Sequence, residues 1–277
     1  MTINCRGQLL NLSSPTVMGI INLTPDSFFD GGRLGDEEKV LAQVETMLNQ
    51  GAGIIDIGGM SSRPGAELIS AEEELDRILA HVKNIVAKFP KAILSIDTIH
   101  AKVADECLQA GAHLINDISA GRYDANMLAV VAKHQAPFVL MHMQGLPSTM
   151  QQNPHYENVV NELLDFFAGR ISVCREAGIT DLILDCGFGF GKTLEHNYTL
   201  LRNLPLFSTF RLPMLVGVSR KGMITKTLNI KPEDALNGTT VLNTIALLNG
   251  ANILRVHDVQ EAKEVVDLVT KMKGGVL

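Results

Sequence analysis

Eight short runs of aliphatic, largely β-branched residues recur along the chain. Each is followed by a stretch of helical periodicity, and this alternation restricts the possible folds more than any other feature. The runs are TVMGII (16–21), AGIIDIG (52–58), AILSID (92–97), AHLIND (112–117), PFVLMH (137–142), DLILDC (181–186), PMLVGV (213–218) and NILRVH (252–257). Each has the length of a strand buried on both faces, as expected when helices cover a parallel sheet. Between them, Val40, Leu41, Val44, Met47 and Leu48 mark one helical face, with Gly51 placed to end the helix. Ser70 and Glu73 read as a capping box opening a second helix, whose face runs Leu75, Ile78, Leu79, Val82, Ile85 and Val86 until Pro90. Further helical stretches lie near 101–110, 125–134, 157–177, 195–203, 234–249 and 259–273. The expected fold is α/β: a (β/α)8 TIM barrel formed as a single domain over residues 1–277, with residues 1–14 as a short β-hairpin at the barrel bottom. A doubly wound open sheet is the alternative arrangement.

Bulk properties narrow the function. A net charge of −6 over 277 residues makes the chain a poor binder of nucleic acid or anionic membranes, so an anionic substrate needs a local cluster of cations. No apolar run is long enough to span a bilayer and the N-terminus has no signal-peptide pattern, which points to the cytoplasm. Cys5, Cys107, Cys174 and Cys186 are far apart, with no C-x-x-C pair, and fit a reducing compartment; Cys107 and Cys174 read as core residues.

The chemistry is concentrated at the ends of the apolar runs. In order stand Asn22, Asp56, Asp97, Asn116, His142, Asp185, Ser219 with Lys221, and Arg255 with His257. In a parallel barrel these ends open on one face, where barrel active sites are built. Any single Asp or Asn here reads equally well as a helix cap, and His142 reads as a hydrogen-bonded structural histidine; the full ring does not reduce to caps. Asp56, Asp97, Asn116 and Asp185 supply acceptors suited to a flat heterocycle rich in N–H donors. Arg255, His257, Lys221 and Arg63 supply cations suited to a diphosphate, and Asp258-x-x-Glu261 adds a helix start beside them. Two Gly- and Pro-containing loops, 22–33 and 58–65, read as active-site lids or as plain surface turns. Gly187-Phe-Gly-Phe-Gly-Lys192 is a weak match to a phosphate-binding glycine loop.

At these residues the chain resembles the dihydropteroate synthase family, through MGIINLTPDSFFDGGR, IIDIGGMSSRPGA, SIDT, AHLINDIS, VLMHMQG, LDCGFGFGK, VGVSRKGM and RVHDV. The resemblance runs nearly end to end. It implies condensation of p-aminobenzoate with 6-hydroxymethyl-7,8-dihydropterin diphosphate, releasing diphosphate and 7,8-dihydropteroate, by an SN1-like step. It implies a pterin site at Asp56, Asp97, Asn116, Asp185 and Lys221. It assigns the diphosphate to Asn22, Ser62, Arg63, Arg255 and His257, with Asn22 as the Mg2+ contact. It places p-aminobenzoate against Phe28, Ser62, Pro64, Phe190, Ser219 and Lys221. Asp97, Asp185, Lys221, Arg255 and His257 are the expected catalytic set. Sulfonamides are expected inhibitors and a homodimer the expected assembly. The sequence departs from the family pattern at Met60 (commonly Glu), Ser62 (Thr), Cys186 (Pro) and Gly222 (Ser). Two other readings share many of these residues: a methyltransferase barrel acting on methyltetrahydrofolate and a corrinoid, and a pterin-binding barrel without catalysis.

Overall fold

The computed structural model describes the chain apart from residues 25–31, 62, 64, 276 and 277, and apart from the side chains of 32–36. Strands β1 (Thr2–Cys5) and β2 (Gln8–Asn11) form an antiparallel hairpin. The eight apolar runs become β3 (Thr16–Asn22), β4 (Ala52–Gly58), β5 (Ile93–Asp97), β6 (Leu114–Asp117), β7 (Phe138–Met141), β8 (Leu182–Asp185), β9 (Met214–Val216) and β10 (Ile253–Val256). They pair in parallel and in chain order, and β10 returns to β3 to close the barrel, which rules out the open sheet.

The helices are α1 (Gly32–Asn49), α2 (Ala71–Lys88), α3 (Ala101–Gln109), α4 (Met127–Lys133), α5 (Val159–Glu176), α6 (Leu194–Arg202), α7 (Gly222–Leu228), α8 (Leu236–Leu248) and α9 (Val259–Met272). The short α7 is not legible in the sequence: seven residues with only Met223 and Ile224 buried carry little periodicity. At the start of α2, half of the expected capping box forms. Ser70 Oγ accepts from the Glu73 amide at 3.2 Å, but the Glu73 carboxylate turns to Arg77. The complete box is at α6, where Thr193 and His196 cap each other's backbone N–H groups.

Alternation along the strands sorts the core into two parts. Outward residues such as Val17, Ile55, Leu94, Phe138 and Leu254 pack under the helices. Inward, one residue from each strand builds a separate apolar layer: Met18, Ile54, Ile93, Leu114, Val139, Ile183, Leu215 and Ile253. Ile3, Cys5, Leu10 and Leu12 of the hairpin segment join that layer, so the hairpin plugs the barrel bottom as expected. The floor beneath the mouth is therefore solid hydrocarbon.

Candidate active site

Two residues beyond each member of that floor, the inward positions read Ile20, Asp56, Ser95, Asn116, Met141, Asp185, Gly217 and Arg255. Two further on they read Asn22, Gly58, Asp97, Ile118, Met143, Gly187, Ser219 and His257. The period of two thus carries most of the predicted polar ring into one mouth. His142 is the exception. It falls on the outward parity of β7, where its ring packs edge-on against Phe166 at 4.8 Å, and Met141 and Met143 take the inward positions. Burial first and Lys192 second push its imidazole down to about 2, so it is a neutral structural histidine.

Asp56 organises the mouth from behind. It is fully buried; Oδ1 accepts from Ser95 Oγ at 2.5 Å, and Oδ2 accepts from Asn116 Nδ2 at 3.1 Å and Arg255 Nε at 2.7 Å. Arg255 also donates from Nη2 to Asp97 Oδ2 at 2.6 Å. Its guanidinium therefore reaches past β3 to bridge carboxylates on β4 and β5. Arg255, expected to serve the anion, is thus in direct contact with two of the carboxylates expected to serve the ring. A buried carboxylate persists only when paired, and one planar fork pairs two.

Asp185 Oδ1 accepts from the Gly187 amide at 2.7 Å. Burial raises the carboxyls of Asp97 and Asp185; Arg255 chiefly opposes the shift at Asp97, and Lys221 at Asp185. Among the described residues, these bonds leave Asn116 Oδ1, Asp97 Oδ1 and Asp185 Oδ2 as acceptors at the mouth. Gly217 leaves space beside them, since a Cβ there would stand 3.7 Å from both Arg255 Cβ and Lys221 Nζ. Lys221 lies in the loop after β9. Its ammonium donates to the Phe188 carbonyl at 2.6 Å and sits 4.8 Å from the Phe190 ring centre. Burial lowers it to about 8, Asp185 opposing.

Ser219 Oγ accepts from the His257 amide at 3.3 Å and hydrogen-bonds its ring Nδ1 at 3.1 Å. Desolvation by the surrounding protein, then Arg255, pushes this imidazole down to about 4. His257 was expected to be a cation; at neutral pH it is a neutral ring held by Ser219. Arg220, between Ser219 and Lys221, takes a left-handed backbone (φ 56°) and forks onto Asp258 at 2.9 and 2.7 Å. α9 starts where Asp258-x-x-Glu261 was read as a helix start, with Asp258 at the N-cap position, but the Asp258 carboxylate is turned to Arg220, anchors the β9 loop and makes no side-chain cap.

The glycine loop after β8 is a packing device. Gly187, Gly189 and Gly191 all have positive φ, and a Cβ would meet the His142 carbonyl at 2.0 Å from Gly187 and the Gln144 carbonyl at 2.4 Å from Gly191. Lys192 is buried among protein acceptors, which removes the phosphate-loop reading. Met60 has a physical reason. It is buried in an apolar cluster with Ile99, Ile118, Met141, Met143 and Met150, where a carboxylate would be stranded. Asn22 ends β3 partly exposed, and Arg63 lies exposed on the loop after β4. Phe28, Ser62 and Pro64 lie outside the described residues, as does most of the first predicted lid.

Sequence reasoning missed Ser95, Glu74 and Thr98. Ser95 carries a signal, being inward by parity two residues before Asp97. Glu74 carries none: it is a helix residue, fully buried, accepting from Thr98 Oγ1 at 2.8 Å just beyond Asp97. All four cysteines are buried and free.

Comparisons with known proteins agree with this fold. The model of the family described as "Pterin binding enzyme" matches residues 18–257. The chain is 45% identical over 271 residues, 97% of its length and 95% of the relative's, to a dihydropteroate synthase of Escherichia coli strain K12. A Yersinia pestis dihydropteroate synthase solved with a sulfonamide drug superimposes with a TM-score of 0.94 at 45% identity, covering 99% of this chain and 100% of that one. A Xanthomonas albilineans dihydropteroate synthase solved with 7,8-dihydropteroate gives 0.89 at 36% identity, covering all of both chains.

Proposed function

The chain belongs to the pterin binding enzyme family and, within it, to the dihydropteroate synthases, and on that premise we propose how its barrel mouth performs the reaction. It is a folate-biosynthesis transferase that joins p-aminobenzoate to 6-hydroxymethyl-7,8-dihydropterin diphosphate. The observation that carries the site assignment is the Asp56–Arg255–Asp97 bridge beside Asn116 and Asp185, above an apolar floor.

The pterin edge carries several N–H donors. Asn116 Oδ1, Asp97 Oδ1 and Asp185 Oδ2 are the acceptors that face them, while Asp56 holds Asn116 and Arg255 in place from behind. Lys221 lies between Asp185 and the aromatic Phe190, where the ring and p-aminobenzoate meet, and the family resemblance assigns Ser219, Phe28, Ser62 and Pro64 to the same substrate. The C–O bond to diphosphate breaks with its electron pair leaving on the anion, in an SN1-like step. The ring delocalises the resulting cation, and the carboxylates of Asp97 and Asp185 favour it. The neutral arylamine lone pair then forms the C–N bond, and its proton passes to water. Arg255, the neutral N–H of His257, Asn22, Ser62 and loop residue Arg63 receive the diphosphate.

Among the described residues no group of three His, Cys, Asp or Glu forms a metal cage. A lone amide oxygen at Asn22 suits Mg2+, which keeps several waters and takes the rest of its shell from phosphate oxygens. When bound, Mg2+ would neutralise charge on the diphosphate. A homodimer is supported by exposed Val241, Ile245 and Leu248 on α8 and Leu268 and Met272 on α9. A cytoplasmic location is supported by the four free thiols, and no helix among the described residues is long and apolar enough to cross a membrane. Sulfonamides would inhibit by occupying the p-aminobenzoate place.

The test is diphosphate release with each substrate omitted in turn, with and without Mg2+, on the parent and on Asp97→Asn and Asp185→Asn. Turnover requiring both substrates and falling at least about a hundredfold in each variant is expected. Near-parental turnover in both variants would reject these two assignments.

A further inference from the structure

We propose that Lys192 and His142, which lie behind the mouth and reach it only through the backbone of Phe190, are positioning residues for the p-aminobenzoate subsite. Their buried clamp sets Phe190 and Lys221. The proposal rests on the placement of p-aminobenzoate against those two residues given above.

Lys192 is 3% exposed, which for an ammonium demands a full set of partners. It has three N–H donors and no acceptor, and it finds three partners: His142 Nδ1 at 3.1 Å, the His142 carbonyl at 3.1 Å and the Phe190 carbonyl at 3.0 Å. For Nδ1 to accept, the imidazole proton must sit on Nε2. Burial pushes the Lys192 ammonium down to about 7, and burial, then Lys192, pushes the His142 imidazole down to about 2, so the pair does not carry two charges. Phe166, edge-on at 4.8 Å, and Tyr156, at 5.9 Å, confine the ring.

The clamp joins two loops. His142 follows β7, and Lys192 ends the glycine loop after β8. That loop is moulded around the His142 backbone, since no side chain fits at Gly187 without striking the His142 carbonyl. Tyr156 Oη donates to the Gly191 carbonyl at 2.8 Å and seats the same loop from the other side. What the loop presents to the mouth is Phe190, whose carbonyl Lys192 holds and whose ring Lys221 faces, and the Phe188 carbonyl, which accepts from Lys221 Nζ at 2.6 Å. Releasing Lys192 would free the Phe190 carbonyl and shift both surfaces that meet the arylamine. Of the acceptors for the pterin edge, Asn116 and Asp97 are held by Asp56 and Arg255, clear of this loop, and Asp185 stands on β8 itself, bonded to the Gly187 amide at the start of the loop and not to the Phe188–Lys192 end that the clamp holds. A defect in the clamp should therefore reach one substrate and spare the other.

Steady-state kinetics with each substrate varied in turn test this on Lys192→Met, His142→Leu and His142→Asn, with melting temperatures in parallel. Lys192→Met and His142→Leu are expected to raise KM for p-aminobenzoate at least tenfold and to leave KM for the pterin diphosphate within twofold. His142→Asn keeps an acceptor near the position of Nδ1 and is expected to behave as the parent does. A purely structural role would lower the melting temperature with both KM values unmoved, and that result would overturn the proposal. Parallel rises in both KM values, or equal defects in His142→Asn and His142→Leu, would overturn it too. Should Lys192→Met not fold, the two His142 variants carry the same comparison. Failure of the parent to turn over would overturn the proposed function, and this inference with it; normal parental turnover confines any failure to the clamp.

Discussion

Two residues of travel along each barrel strand separate two unlike interiors. The lower layer, from Met18 round to Ile253, is hydrocarbon throughout and is sealed by the hairpin. The layer above it carries Asp56, Ser95, Asn116, Asp185 and Arg255 at the matching positions. Both are largely withdrawn from water, so burial alone does not distinguish them. They differ in how burial is made favourable. The floor gains from transfer out of water without any directional requirement. The mouth can be buried only because each charge meets an opposite charge or a hydrogen bond at a fixed distance, as Arg255 does with Asp56 and Asp97. A barrel interior can thus hold a stability layer and a chemistry layer one pleat apart, with neither disturbing the other.

Substitutions in each layer test that separation. Arg255→Ala should have the largest effect. It leaves the fully buried Asp56 carboxylate without its cation, so stability should fall by about 3 kcal/mol and kcat/KM by about a thousandfold. Denaturant melts and steady-state assays check both, and a variant losing activity but no stability would show that the pairing does not hold the upper layer together. Leu114→Ala, in the floor one pleat below Asn116, should cost about 3 kcal/mol through lost burial and a cavity. At temperatures well below its melting point, both KM values and kcat should stay parental. A shift in KM for the pterin substrate would mean that the floor also shapes the site.

The smallest expected effect sharpens the rule that buried charge needs a partner. Glu74 lies behind the mouth with Oε1 unpartnered among the described residues, and burial raises its carboxyl to about 8. A folded-state pKa above the unfolded value means the native state binds the proton more tightly. Its stabilising share is complete below the ordinary carboxylate range and is lost as pH rises toward and past 8. Glu74→Gln should therefore match the parent near pH 5 and become the more stable of the two as pH rises past 8. Parallel pH–stability curves for the two proteins would show that Glu74 is ionised in the native state.

Much of this was legible in the chain. The eight runs became the eight barrel strands, and residues 1–14 supplied the hairpin at the bottom. The polar ring also emerged at the mouth, because residues two apart on a strand share a face. The same rule, applied strictly, would have removed His142 and added Ser95. What no local pattern announced were partners distant in sequence. Arg255 and Asp56 are 199 residues apart, Lys192 and His142 are 50 apart, and Glu74 reaches Thr98 from a helix. Protonation states were equally hidden: His257 reads as a cation in isolation and becomes neutral through burial first and Arg255 second.

The sequence by itself determined the order of elements, the parity that sends each side chain inward or outward, and the set of groups available for chemistry. These follow from periodicity and side-chain type, which are properties of neighbouring residues. Only the tertiary structure decided which charges touch, which lysine faces the mouth and which is locked behind it, and that the imidazoles of His142 and His257 are neutral. Those outcomes depend on distance and desolvation, and neither exists until barrel closure brings β10 back against β3.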